Sequence, residues 1–133
     1  MAAAVTILLA DDDRVQTLML STCLKAKGFK VVVAHDGMEA FAVALRTSPD
    51  VIILDIQMPA GTGIVVLERL KASSKTVQIP VIVLSANINP ETVRTLKELG
   101  ADEFLCKPVD LDMLYGAVSR ALAPPDAPLQ SGA

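Results

Sequence analysis

Five short runs of aliphatic and β-branched residues punctuate the chain: VTILLA (5–10), KVVVA (30–34), VIIL (51–54), VIVL (81–84) and EFLC (103–106). Four of them are almost continuously apolar, whereas a strand with one wet face would alternate. Continuous runs suit a sheet covered on both faces, and such sheets are parallel because helices cross over between their strands. Alternating β and α elements with short connections predict an α/β fold: a doubly wound, five-stranded parallel sheet with right-handed crossovers and five helices.

The segments between the runs carry helical periodicity. In the first, Val15, Leu18, Met19, Thr22 and Cys23 fall at i, i+3, i+4, i+7 and i+8, with Gly28 past the end as a C-cap. The second places Met38, Phe41, Ala42 and Leu45 on one buried stripe, and the third runs from about Thr62, a candidate N-cap, to Ala72 around Val66, Leu67 and Leu70. The fourth opens on Asn89 as N-cap, Pro90 at N1 and Glu91, and ends near Gly100. The fifth follows Asp110 as N-cap and repeats Leu111, Leu114, Tyr115, Val118 and Leu122. The expected organisation is one domain over 1–123 and a loosely ordered tail over 124–133, PPDAPLQSGA, rich in proline and small residues.

At 133 residues the chain is long enough to bury one core without disulfides or metal staples. Aromatic residues make up only 3%, so that core is aliphatic. A net charge of −3 and no basic stripe argue against a nucleic-acid surface. Cys23 and Cys106 lack metal-ligand spacing and read as small apolar packers in a reducing compartment. The run MAAAVTILLADDD has no basic segment and meets carboxylates after ten residues, which fits neither a signal peptide nor a membrane span. The expected location is the cytoplasm.

Polar residues collect at the carboxyl ends of the predicted strands. Asp11 and Asp12 follow the first, Asp55 the third, Ser85 the fourth and Lys107 the fifth. Ligands of doubly wound sheets bind at that edge. Carboxylates gathered there repel by about 4 kcal/mol per pair at ~4 Å and an effective dielectric near 20, so something must offset the cost. An all-oxygen set suits a hard cation such as Mg²⁺, which binds through one or two carboxylates and leaves positions for phosphate oxygens. Beside such a cation Asp55 is placed to be a nucleophile at phosphorus, with Lys107 and Ser85 on the oxygens where charge accumulates.

The stretches ILLADDD, ILDIQMPAGTG, VLSA and FLCKP stand in that order at the appropriate strand ends. By them the chain, over residues 5–122, resembles the receiver domain of two-component response regulators, in architecture the stand-alone chemotaxis type. The resemblance implies a flavodoxin-like strand order 2-1-3-4-5. It implies Asp55 as phosphoacceptor, Asp12 as a direct Mg²⁺ ligand with Asp55, Asp11 acting mainly through water, and Gln57 contributing its backbone carbonyl. Lys107 would pair with the phosphoryl group, Ser85 would hydrogen-bond it, and Phe104 would be the aromatic switch that moves with Ser85. The Lys107–Pro108 peptide would be cis. The implied partners are a histidine kinase or histidine phosphotransfer protein and a downstream target, engaged through helix 4, strand 5 and helix 5, with neither nucleic acid nor membrane.

Each residue also has a plainer reading. Asp13 reads as a first-turn residue favoured by the helix dipole, His35 as a solvated or satisfied histidine, and Met58-Pro59 as a turn. Two other function classes stand beside the switch. A Mg²⁺-dependent phosphohydrolase commonly uses an acid two residues past its nucleophile, where Gln57 offers no titratable proton. A phosphorylation-independent interaction module would show gaps in the acidic set, and the sequence has none.

Overall fold

In the computed structural model, which describes residues 4–57 and 63–123, the chain alternates strictly between strand and helix. The elements are β1 (Thr6–Ala10), α1 (Arg14–Ala26), β2 (Lys30–Ala34), α2 (Gly37–Thr47), β3 (Val51–Asp55), α3 (Gly63–Ala72), β4 (Val81–Ser85), α4 (Pro90–Glu98), β5 (Glu103–Cys106) and α5 (Leu111–Leu122). All strands pair in parallel in the order β2-β1-β3-β4-β5. The register sets Leu8 opposite Val32 and Ile52, and it ends with Asp55 opposite Leu84 and Ser85 opposite Cys106.

The near-continuous apolar runs are explained by two cores, one on each face of the sheet. Leu8, Ala10, Ile52, Leu54, Val81 and Val83 pack against Ala40, Val43 and Ala44 of α2, Val66, Leu67 and Leu70 of α3, and Leu96 of α4. Alternate residues, Ile7, Leu9, Val51, Ile53, Ile82 and Leu84, pack against Leu20 and Leu24 of α1 and Leu114, Ala117 and Val118 of α5. Side chains alternate along a strand, so residues of both parities must be apolar when both faces are covered.

Most helix ends follow the expected signals. Asn89 and Asp110 accept the N–H groups of Thr92 and Met113 as N-caps, Pro90 occupies the first turn, and Gly28 and Gly100 take the positive φ that follows a helix end. Asp13 is the N-cap of α1 rather than a first-turn residue, accepting from the N–H groups of Val15 and Gln16.

Two stripes differ from expectation. Helix α1 buries Thr17, Leu20, Ser21 and Leu24, leaving Val15 and Leu18 80% and 68% exposed. Thr17 and Ser21 tolerate burial because their hydroxyls donate to the carbonyls of Arg14 and Leu18 within the same helix. Helix α2 buries Gly37, Ala40, Val43 and Ala44, while Met38 and Leu45 are exposed and Phe41 packs at the margin. Cys106 also departs from its expected packing: it is exposed at the end of edge strand β5. Among the described residues, no helix is long and apolar enough to cross a membrane. The Thr62 cap, the Met58-Pro59 turn and the 124–133 tail lie outside the described residues.

Candidate functional site

The carboxyl edge of the sheet is held together by ladder-like bonds that run past the strand ends. Asp11 N–H donates to the Ala34 carbonyl, Ile56 N–H to Leu84, and Lys107 N–H to Ser85. These bonds carry β1, β3, β4 and β5 to a common edge and bring together residues up to 96 positions apart, from Asp11 to Lys107.

Asp11 and Asp55 are withdrawn from water, at 0% and 1% exposed, while Asp12 is exposed. One oxygen from each of the three carboxylates lies within 4.8 Å of the others. Lys107 Nζ donates to Asp55 Oδ2 at 2.9 Å and stands 3.3 Å from Asp11 Oδ2. Asp55 Oδ1 accepts the Gln57 N–H at 3.0 Å. Burial pushes the Asp55 carboxyl above its ordinary pKa; the Gln57 N–H and Lys107 pull it down, Asp11 adds to the rise, and the net is upward. Burial pulls the Lys107 ammonium down, but the hydrogen bond and charge of Asp55 and the charge of Asp11 outweigh it, and its pKa is raised.

Ser85 is buried, and its hydroxyl accepts the Asn87 N–H at 3.2 Å while facing the Asn87 carbonyl at 3.4 Å. Phe104 is half-buried, opposite Val83 in the ladder, against the core on the α3 and α4 side. The Lys107–Pro108 peptide is cis. His35 lies apart from the acidic set: its backbone N–H donates to Glu39 Oε1 at 2.7 Å and its ring nitrogen lies 4.0 Å from the same oxygen. One polar neighbour had no signal in the sequence. Gln16, one turn into α1, donates from Nε2 to Asp11 Oδ2 at 2.7 Å.

Three carboxylates faced by one ammonium leave an excess of negative charge in a partly desolvated pocket, and every donor atom is a hard oxygen. The set fits a small divalent cation and does not fit a soft one.

The model of the response regulator receiver domain matches residues 7–119. The chain belongs to this family. It is 48% identical over 103 residues to the transcriptional regulatory protein CpxR of Escherichia coli K12, covering 77% of this chain and 42% of CpxR. To the phosphate regulon regulatory protein PhoB of Pseudomonas aeruginosa it is 34% identical over 132 residues, 96% of this chain and 58% of PhoB. This receiver domain therefore spans about half the length of these curated relatives. Among solved structures, the chemotaxis protein CheY4 of Vibrio cholerae superposes with a TM-score of 0.86 at 32% identity, covering 90% of this chain and all of CheY4. The receiver domain of the sensor histidine kinase PA1611 from Pseudomonas aeruginosa PAO1, solved with a magnesium ion coordinated in its active-site cleft, superposes with a TM-score of 0.83 at 26% identity, covering 90% of this chain and 98% of that one.

Proposed function

We propose that this receiver domain is a phosphorylation-controlled switch whose acceptor is Asp55. The observation that carries the reading is the arrangement at Asp55: a buried carboxylate held at 2.9 Å by Lys107, with oxygens of Asp11 and Asp12 within 4.8 Å. Asp55, Asp12 and the Gln57 carbonyl would hold Mg²⁺, with Asp11 acting through water, and the cation would supply positive charge to offset the carboxylates and phosphoryl oxygens.

An Asp55 carboxylate oxygen attacks the phosphorus of a phosphohistidine on a histidine kinase or histidine phosphotransfer protein. The O–P bond forms as the N–P bond breaks, and the electron pair of that bond stays on the imidazole, which leaves as the neutral ring because its other nitrogen already carries a proton. Lys107 Nζ, already at Asp55, shifts to the phosphoryl oxygens. Phosphorylation adds about −1.5 to −2 charge units and new acceptor oxygens. Ser85 leaves its Asn87 contacts to donate to them, and Phe104 repacks, which alters the surface of α4, β5 and α5 toward a downstream target protein. The residue two places past Asp55 is Gln57, which carries no titratable proton. The domain is thus a switch rather than an enzyme, with at most self-catalysed phosphorylation and dephosphorylation. Free thiols at Cys23 and Cys106 support a cytoplasmic location.

Intact-mass measurement after incubation with Mg²⁺ and a small acyl-phosphate donor tests this. Wild type with metal gains one phosphoryl group; Asp55→Asn and the metal-free sample gain none. A gain by Asp55→Asn equal to wild type overturns the assignment.

A further inference from the structure

Asp11 is a completely buried carboxylate, and a carboxylate is buried at tolerable cost only when its lone pairs are taken up. Its Oδ1 accepts the Asp13 N–H at 2.9 Å, and its Oδ2 accepts Gln16 Nε2 at 2.7 Å with Lys107 Nζ at 3.3 Å. The Gln16 contact is the shortest of the three, and the amide orientation is fixed chemically, because a carboxylate next to Lys107 only accepts and so must face the NH₂ end of the side chain. Gln16 is itself anchored. Its backbone N–H donates to Asp13 Oδ1 at 3.0 Å, so the N-cap of α1, Gln16 and Asp11 form one closed set of bonds at the start of the helix.

We propose that Gln16 is a positioning residue of the acidic pocket, whose side-chain amide fixes the Asp11 carboxylate in the orientation the cation requires. The inference rests on the reading of this pocket as a Mg²⁺ site. A neutral donor suits that task better than a charged one. A lysine in its place would cancel part of the negative potential that draws the cation, and a carboxylate would repel Asp11. Groups that orient a metal's direct ligands through such bonds contribute about ten- to hundredfold in metal affinity, and because Asp11 acts through water the contribution of Gln16 falls at the lower end of that range. Nothing in the helical periodicity marks Gln16, since its role depends on how α1 is seated against the end of β1.

The test is a magnesium chloride titration followed by backbone amide chemical shifts in wild type, Gln16→Met, which keeps length without a donor, and Gln78→Met, an exposed control far along the chain. Gln16→Met raises the Kd for Mg²⁺ about tenfold, while Gln78→Met leaves it unchanged. Gln16→Ala, also without a donor, gives the same rise and serves if the first variant does not fold. A Kd for the Gln16 variants within twofold of wild type, or a lower one, overturns the inference even if their melting temperatures drop, because a merely structural contact moves stability and not affinity. A wild type that does not respond to Mg²⁺ overturns the metal reading itself and this inference with it, an outcome distinct from the other.

Discussion

Asp55 illustrates how a functional residue opposes the fold that holds it. It is 1% exposed and faces Asp11, and although Lys107 and the Gln57 N–H act in the other direction, its pKa is raised from the ordinary carboxyl value of 3.8. The folded state therefore holds this proton more tightly than the unfolded chain does. The resulting stabilisation is full below pH 3.8 and is lost as pH rises through the folded pKa. At pH 7 and without metal, Asp55→Asn is accordingly more stable than wild type, a gap that closes in strong acid. Urea unfolding at the two pH values measures it, and a less stable variant at pH 7 contradicts the account. Added Mg²⁺ works in the opposite direction by stabilising wild type, by about 2.7 kcal/mol at a hundred times its Kd. The positions of Asp11, Asp12, Asp55, Ser85 and Lys107 were legible because each follows an apolar run; Gln16 was not, because a contact five residues back along the chain is set by the seating of a helix.

At the scale of elements, α1 shows what decides between two candidate stripes. Val15, Leu18 and Met19 give the more apolar pattern, yet the sheet buries Leu20 and Leu24 with Thr17 and Ser21, whose hydroxyls are satisfied within the helix. The apolar stripe left outside adjoins a shallow groove lined by Arg14, Leu18, Val33 and His35, a surface that a proposed phosphodonor protein could contact. Leu18→Asp therefore changes folding stability by less than about 0.5 kcal/mol and slows transfer from a phosphohistidine protein while leaving phosphorylation by a small acyl phosphate intact. Leu20→Ala costs about 2–5 kcal/mol. Chemical denaturation of the pair, with phosphotransfer assays on the first, tests the phase; equal destabilisation would refute it. Helix α3 meets β3 with no space to spare: a Cβ on Gly63 would lie 2.5 Å from Ile56 Cα and 2.6 Å from the Asp55 carbonyl oxygen, and the Gly63 N–H donates to the Ile56 carbonyl at 3.0 Å. Both obstacles are backbone. Gly63→Ala is expected to lower stability by about 1–3 kcal/mol and to slow phosphorylation by displacing Asp55, read by melting temperature and by intact mass over time.

Over the whole molecule, the pocket is linked to distant surface through Lys107, which joins the end of β5 to carboxylates on β1 and β3. Removing its ammonium leaves Asp11, Asp12 and Asp55 in place for the metal but breaks the tie from the phosphoryl group to β5. Lys107→Ala is thus expected to keep Mg²⁺ binding largely intact while abolishing the change in amide hydrogen exchange over α4, β5 and α5 that phosphorylation produces in wild type; an equal change in the variant would disprove the coupling. The alternation of apolar runs and helical patterns determined, from sequence alone, the parallel two-sided sheet and the edge on which the polar residues gather, because strand ends are local features and side-chain alternation is fixed by the backbone. Which stripe of α1 and α2 faces inward, that Cys106 lies in the open and that Gln16 reaches Asp11 were decided by tertiary packing. The stripes and the Gln16 contact depend on how each helix is seated against the sheet, and the exposure of Cys106 on the place of β5 at its edge, both set by side chains far apart in the chain.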